Sequence, residues 1–171
     1  MSVQLITKTE TYLTFTLAEE VYAVDVSKVR EVLELTKITK VPRTPDFMTG
    51  VINLRGNVVP VVDMRLKFGM LKTENTIDTC VVVMEVSIDK DTTVLGALVD
   101  AVEEVIDLDP DQIEPAPHIG TSVHMDFIMG MGKRDTEFII ILDIDKVFTA
   151  EELSKVHRAK DKSSLEAVTA S

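Results

Sequence analysis

Cysteine is almost absent from this chain. Cys80 stands alone, so no disulfide framework can hold the fold, and a single thiol fits a reducing compartment. It precedes Val81-Val82-Val83 with no group nearby to lower its pKa, so it reads as a small buried hydrophobe. Positive charge is scarce as well: 18 Lys and Arg against 29 Asp and Glu leave a formal net charge of −11. Such a surface repels phosphate, which argues against nucleic acid and against an anionic membrane as partners. Long hydrophobic runs are missing. The longest apolar stretches, such as Phe138 to Leu142, are far too short to span a bilayer. The opening Met1-Ser2-Val3-Gln4-Leu5-Ile6-Thr7-Lys8 lacks a basic region followed by a long apolar stretch, so no secretory signal is visible. The expectation is a soluble, cytoplasmic protein with no membrane insertion.

Chemical motifs are missing too. His118, His124 and His157 are scattered without zinc-ligand spacing. Asp107-Leu108-Asp109-Pro110-Asp111 opens like a calcium loop. It then has Gln112 where glycine is needed and His118 where a bidentate carboxylate is needed, and so reads as a solvated acidic turn. Gly130-Met131-Gly132-Lys133 lacks phosphate-loop spacing and is followed by a strand. Ser122 has no Gly-x-Ser-x-Gly context. No catalytic residue, metal ligand or cofactor is expected.

What the chain does have is apolar material, 45% of its residues, enough to build a core unaided. Leu13, Phe15 and Leu17 alternate with threonines, and Tyr22, Val24 and Val26 with Ala23 and Asp25, the period of half-buried strands. Glu19-Glu20 between them supplies a hairpin turn. The runs Val58 to Val62, Val81 to Val86, Val94 to Val99 and Phe138 to Leu142 predict strands buried on both faces. Pro60 inside one of them predicts an edge position or a bulge. With no long crossover helix available, all pairing is expected to be antiparallel. Ser27 begins a predicted helical turn in which Val29, Val32 and Leu33 share a face. Thr149-Ala150-Glu151-Glu152 is a capping box that starts a helix carrying Leu153 and Val156. Residues 160–171 read as a disordered tail.

The most informative feature is an internal repeat. Tyr22 to Leu35 resembles Leu95 to Leu108, with Val29, Glu31, Val32 and Leu35 falling on Val102, Glu104, Val105 and Leu108. Pro42 and Pro115 keep that register. After a small insertion Gly50 pairs with Gly130, Val61-Val62-Asp63 with Ile141-Leu142-Asp143, and Phe68 with Phe148. Each Asp suits an N-cap. Two lobes this small should pack face to face about a pseudo-two-fold axis, with the segments bearing Val29/Val32 and Val102/Val105 near a groove at the seam. Arg55 sits in a tight turn beside Gly56. There it is either solvated or a planar, multi-donor contact to a partner carboxylate. Met125, Met129 and Met131 suit core filling or an adaptable binding surface.

The stretch Gly50 to Phe68, GVINLRGNVVPVVDMRLKF, resembles the signature of the CheW family of bacterial chemotaxis coupling proteins. The likeness runs from about Thr11 to Val156. It includes Phe15-Thr16-Leu17, Lys28-Val29-Arg30-Glu31-Val32, Gly96 and Ile113-x-Pro115-x-Pro117. It implies one domain over 11–156, all-β, made of two pseudo-symmetric five-stranded SH3-like barrels around a shared hydrophobic core, with short helical turns and a C-terminal helix. The chain is expected to cross between the lobes. The resemblance further implies a non-catalytic adaptor, monomeric alone and assembled in receptor arrays. Its implied partners are the regulatory domain of the CheA histidine kinase and the cytoplasmic tips of chemoreceptors. By resemblance, Val29, Glu31, Gly50, Arg55, Gly96, Val102 and Val105 are its partner-binding residues. A CheV-type protein would need a receiver domain for which there is no room. The alternatives are a CheW-like adaptor of a non-flagellar receptor–kinase pathway and, with little support, a small-ligand-binding barrel.

Overall fold

The computed structural model describes residues 9–88, 90–115 and 127–158. The expected tail, together with His118, His124, Ser122 and Met125, lies outside these residues. In chain order the strands are β1 (Glu10–Leu17), β2 (Glu20–Asp25), β3 (Val29–Glu34), β4 (Met48–Leu54), β5 (Asn57–Asp63), β6 (Cys80–Ile88), β7 (Asp91–Val99), β8 (Ala101–Leu108), β9 (Ile113–Glu114), β10 (Ile128–Arg134) and β11 (Glu137–Leu142). Short helices α1 (Met64–Lys67) and α2 (Ile144–Val147) follow β5 and β11, and α3 spans 150–158.

Two curled sheets result, with strand orders β3-β6-β7-β5-β4 and β8-β1-β2-β11-β10-β9. The first curls back on itself where Thr39, just past β3, bridges Val51 on β4. The second does so where β9, just past β8, pairs with β10. The lobes are not the two halves of the chain. Hairpin β1–β2 belongs to the lobe of β8 to β11, and hairpin β6–β7 to the lobe of β3 to β5.

Each barrel is filled by side chains. Ile52, Val59, Val61, Val81, Val83 and Leu98 pack inside one, and Tyr12, Ala23, Leu108, Ile139 and Ile141 inside the other. The largest core lies between the lobes and draws on both sheets, with Phe15, Leu17, Tyr22 and Val24 meeting Val62, Met84, Leu95 and Val99. Aromatic contacts across this seam are reciprocal. Phe68 stacks on Phe127 with ring centroids 5.3 Å apart, and its repeat-mate Phe148 packs at 6.1 Å against Phe47, the mate of Phe127. Such exchange of partners is what a two-fold relation produces.

The repeat holds at the level of hydrogen bonds. Asp63 and Asp143 both cap the helix that follows, their carboxylates accepting from Arg65 N–H (3.0 Å) and Asp145 N–H (3.1 Å). Their own N–H groups donate to Phe47 and Phe127 carbonyls, each at 2.7 Å. The capping box also forms: Thr149 N–H donates to Glu152 Oε1 at 2.9 Å and Glu152 N–H to Thr149 Oγ1 at 3.1 Å. Leu153 and Val156 of α3 are buried as the pattern requires.

Five expectations need correction. First, pairing is not antiparallel throughout: β5–β7 and β2–β11 are parallel. The reason is parity. β9 continues β8 past a turn at Pro110–Gln112, so each barrel closes with five strand directions. An odd ring cannot alternate all the way round. Second, the segments read as helical turns are bulged strands. Only Val26–Lys28 is helical, as a single 3-10 turn. The register slips by one between Val29 and Glu31, so Val29 opposes Met84 and Val32 opposes Val82. In the second copy Val102 opposes Phe15 and Val105 opposes Leu13 across an equivalent slip. Directly opposed residues share a face of a sheet, so the bulge puts positions i and i+3 on one side and imitates a helix; Leu33, opposite Val81, lies on the other side. Third, the β1–β2 turn is Ala18-Glu19, both at positive φ (51° and 72°), as a two-residue hairpin needs. Fourth, Pro60 sits on an inner strand, but parallel pairing with β7 starts only at Val61, so the missing N–H falls at a local edge. Fifth, Gly50 packs on Ile38 and Thr39, and Gly130 on Ile113 and Glu114. Thr39 therefore matches Glu114, so two residues of the insertion precede Pro115, at the Pro110–Gln112 turn, the other five fall between Glu114 and Gly130, and Pro42 is not matched to Pro115.

Candidate partner-binding surface

The β4–β5 hairpin ends in a two-residue turn, with Arg55 at φ 51° and Gly56 at φ 88°. Asn53 Oδ1 accepts the Gly56 N–H at 2.8 Å. This left-handed pair lifts Arg55 off the barrel end, where its side chain is 71% exposed. It does not hang free. Its guanidinium reaches Glu31 on β3 with two bonds, Nη1 to Oε1 at 3.2 Å and Nη2 to Oε2 at 2.5 Å. The fork-on-carboxylate geometry is directional, and it spans the side of the barrel where β3 and β4 share no ladder. Hydrogen bonds from Arg55 hold the Glu31 carboxyl below the usual carboxylate range. Beside them, bulge residue Arg30 donates through Nε to Glu85 Oε1 at 2.7 Å.

The second lobe repeats the arrangement. Glu104, the mate of Glu31, pairs with Arg134 at the tip of the β10–β11 hairpin. Thr14 Oγ1 supports it, donating to the Glu104 carbonyl at 2.8 Å and accepting the Glu104 N–H at 3.1 Å. Around it Val105 is 55% and Phe138 51% exposed, whereas Val32 in the first lobe is 41% exposed. Sequence reasoning missed Arg134 and Phe138. The repeat held the signal, since Arg134 adjoins Asp135, which stands at the position of Arg55 in its own hairpin (φ 53°).

Of the residues singled out from the sequence, the structure brings together Glu31 and Arg55. Val29 and Val102 are half-buried against the shared core, while Val105 lies outside it. The seam is closed by packing, so the apolar groove expected between Val29 and Val102 is not open there. Gly50 and Gly96 are buried and serve packing. A Cβ on Gly50, at φ 152°, would come 2.2 Å from the Thr39 carbonyl oxygen, and one on Gly96 would come 2.6 Å from Val81 Cγ1. Either could influence a partner only through the backbone around it. Met129 contributes to the second barrel's core.

Among the described residues no group of three or more His, Cys, Asp and Glu side chains could hold a metal ion, and no helix is long and apolar enough to cross a membrane. A cleft of about 480 Å³ lies between the β6–β7 hairpin and α3, lined in part by Ile88, Thr92, Leu153 and His157.

Residues 11–152 match the CheW-like domain family. The chain is 35% identical over 145 residues to the chemotaxis protein CheW of Klebsiella aerogenes, covering 85% of each chain. It is 32% identical over 140 residues to the chemotaxis protein CheW of Rhizobium meliloti, covering 82% of this chain and 88% of that one. The crystal structure of the scaffolding protein TtCheW from Thermoanaerobacter tengcongensis superposes with a TM-score of 0.72 at 37% identity, covering 84% of this chain and 94% of that one.

Proposed function

The chain belongs to the CheW-like domain family, and from that membership we infer that it is a chemotaxis adaptor that couples the cytoplasmic tips of chemoreceptors to the regulatory domain of the histidine kinase CheA. The observation that carries this reading is the exposed Arg55–Glu31 pair. It offers a partner a planar five-donor cation and an acceptor already paired, so a partner carboxylate can exchange for Glu31 with little reordering. The barrel interiors, packed with side chains, favour surface recognition over enclosure of a small ligand. The protein works by holding partners together and carries out no chemistry of its own. Glu31 and Arg55 act by contact, together with Val105. Val29 and Val102 act from beneath the surface, and Gly50 and Gly96 through the fold.

The test is a set of titrations: a receptor-tip helical hairpin, the CheA regulatory domain and a panel of metabolites, each against the wild type and Arg55→Ala. Both protein partners should bind the wild type, and the variant should bind at least one of them more weakly. A chain that binds neither protein, but whose melting temperature rises with a metabolite, is not an adaptor.

A further inference from the structure

Two joints hold the lobes to each other, built on one plan with the charges exchanged. In the first, Asp100 sits where the chain crosses from β7 in one lobe to β8 in the other. One of its oxygens accepts the Ala18 N–H of the β1–β2 turn at 2.8 Å. Its carboxylate also takes a two-pronged contact from Arg65 of α1, with Nε to Oδ1 at 2.7 Å. In the second, Lys28 sits at the other crossing, from β2 to β3. The carboxylate is now on the short helix: Asp145 of α2, repeat-mate of Arg65, accepts the Ser87 N–H at 2.8 Å and the Lys28 ammonium at 2.8 Å. Each joint ties a crossing, a short helix and a hairpin through a single carboxylate.

We propose that Asp100 and Asp145 are positioning residues that fix the angle between the two lobes, and with it the separation of the Arg55–Glu31 and Arg134–Glu104 surfaces. The shared core is apolar, and apolar burial is non-directional; charge-assisted hydrogen bonds are directional. All four charged side chains of the joints are at most about one-third exposed, with Arg65 at 18% and Asp145 at 28%, so solvent competes with them only in part. Neither carboxylate touches the candidate surface, so neither is a contact residue for a partner. The two joints share one layout, built from a helix cation and a crossing anion in one and from the reverse in the other.

The test measures the angle directly. In the full chain with Cys80→Ser, spin labels are placed through Asn57→Cys and Asp135→Cys at the two hairpin tips, and the distance distribution is recorded. Removing both joints with Asp100→Asn and Asp145→Asn should broaden it by several ångström while circular dichroism stays unchanged. Asp100→Arg in an Asp145→Asn background should broaden it likewise, and adding Arg65→Asp should narrow it again. A distribution that stays narrow in the double Asn variant would show that the core alone sets the angle and would overturn the proposal. So would a broadening that the charge exchange fails to reverse, since that marks local damage. A second arm rests on the adaptor reading. In the double Asn variant each partner alone should bind as it binds wild type, while receptor control of the kinase in the three-component mixture should fall about tenfold, a usual size for coupling between sites. The distance arm needs no partner, so a failure of the adaptor reading leaves it decisive.

Discussion

Arg55 reaches back 24 residues to clasp both carboxylate oxygens of Glu31, bracing the side of its barrel where β3 and β4 share no ladder and the Thr39–Val51 bridge makes the closure. In the other lobe Arg134 pairs with Glu104 through Nη1 and Oε1, on a barrel that the β9–β10 ladder already closes. A residue that looks in sequence like a free recognition group is therefore also a staple, and its removal has two separable effects.

Arg55→Ala should leave the fold intact and return the Glu31 carboxyl to the ordinary carboxylate range. Glu31 is held low in the folded protein, so its contribution to stability is present above the ordinary carboxylate pKa and is lost as pH falls through its depressed value. NMR titration of the Glu31 side chain reads this directly. A Glu31 that titrates identically in wild type and variant would mean that the pair does not persist in solution.

The two valines of the second lobe separate surface from core. Val105→Asp, at a position 55% exposed, should change stability by no more than about 0.5 kcal/mol and weaken partner binding. Val102→Asp places a carboxylate against Phe15 and the shared core, and should cost roughly 3 kcal/mol or more. Urea denaturation of both variants orders them, and equal loss in the two would contradict the placement of β8.

Glycine substitutions should follow space and backbone rather than exposure. Gly50→Ala meets a backbone carbonyl that cannot move aside and should cost more than about 4 kcal/mol, in the range reserved for severe lesions. Gly96→Ala meets the Val81 side chain, which can shift, for about 1–3 kcal/mol. Gly56→Ala has nothing within 4 Å and pays only for φ 88°, about 1 kcal/mol. Chemical denaturation that reverses this order would refute the packing described.

Alkaline titration probes the second barrel. Burial first, then the charges of Asp25 and Glu10, push the Tyr12 phenol up to about 12, and burial also raises Tyr22. With both tyrosines raised, absorbance near 295 nm should show less than half of the tyrosine ionised at the free-phenol value of 10.0. Because the folded pKa of Tyr12 lies above the unfolded one, its contribution to stability is complete below pH 10.0 and is lost as pH rises toward about 12.

Much of this was legible in the sequence, because period-two alternation and β-branched runs report burial directly. The Asp63 and Asp143 caps and the Thr149 capping box were legible too, since each is a local contact of one side chain with a nearby backbone group. Two features were hidden. A bulge gives Val29 and Val32 the spacing of a helical face, and no local pattern distinguishes the two. That the chain crosses between lobes came only from the family resemblance; which hairpins are exchanged, and where the parallel pairs fall, depend on ring closure among strands far apart in sequence. The staple at Arg55 was half visible: the turn was plain, but its partner Glu31 was identified only as a second, separate residue.

The exchange of hairpins between lobes has a consequence for how the molecule could be taken apart. A cut in the loop between α1 and β6 would not release two lobes. The front piece would hold the β1–β2 ribbon of one barrel and three strands of the other, and the back piece would hold the complement, so each would be an open half with unpaired edges. Neither fragment could close a barrel by itself, and mixing the two should restore both at once. The covalent link between them does the work of a dimer contact, raising the effective concentration of one half for the other. In physical terms the protein is an obligate pair of interlocked partners carried on a single thread.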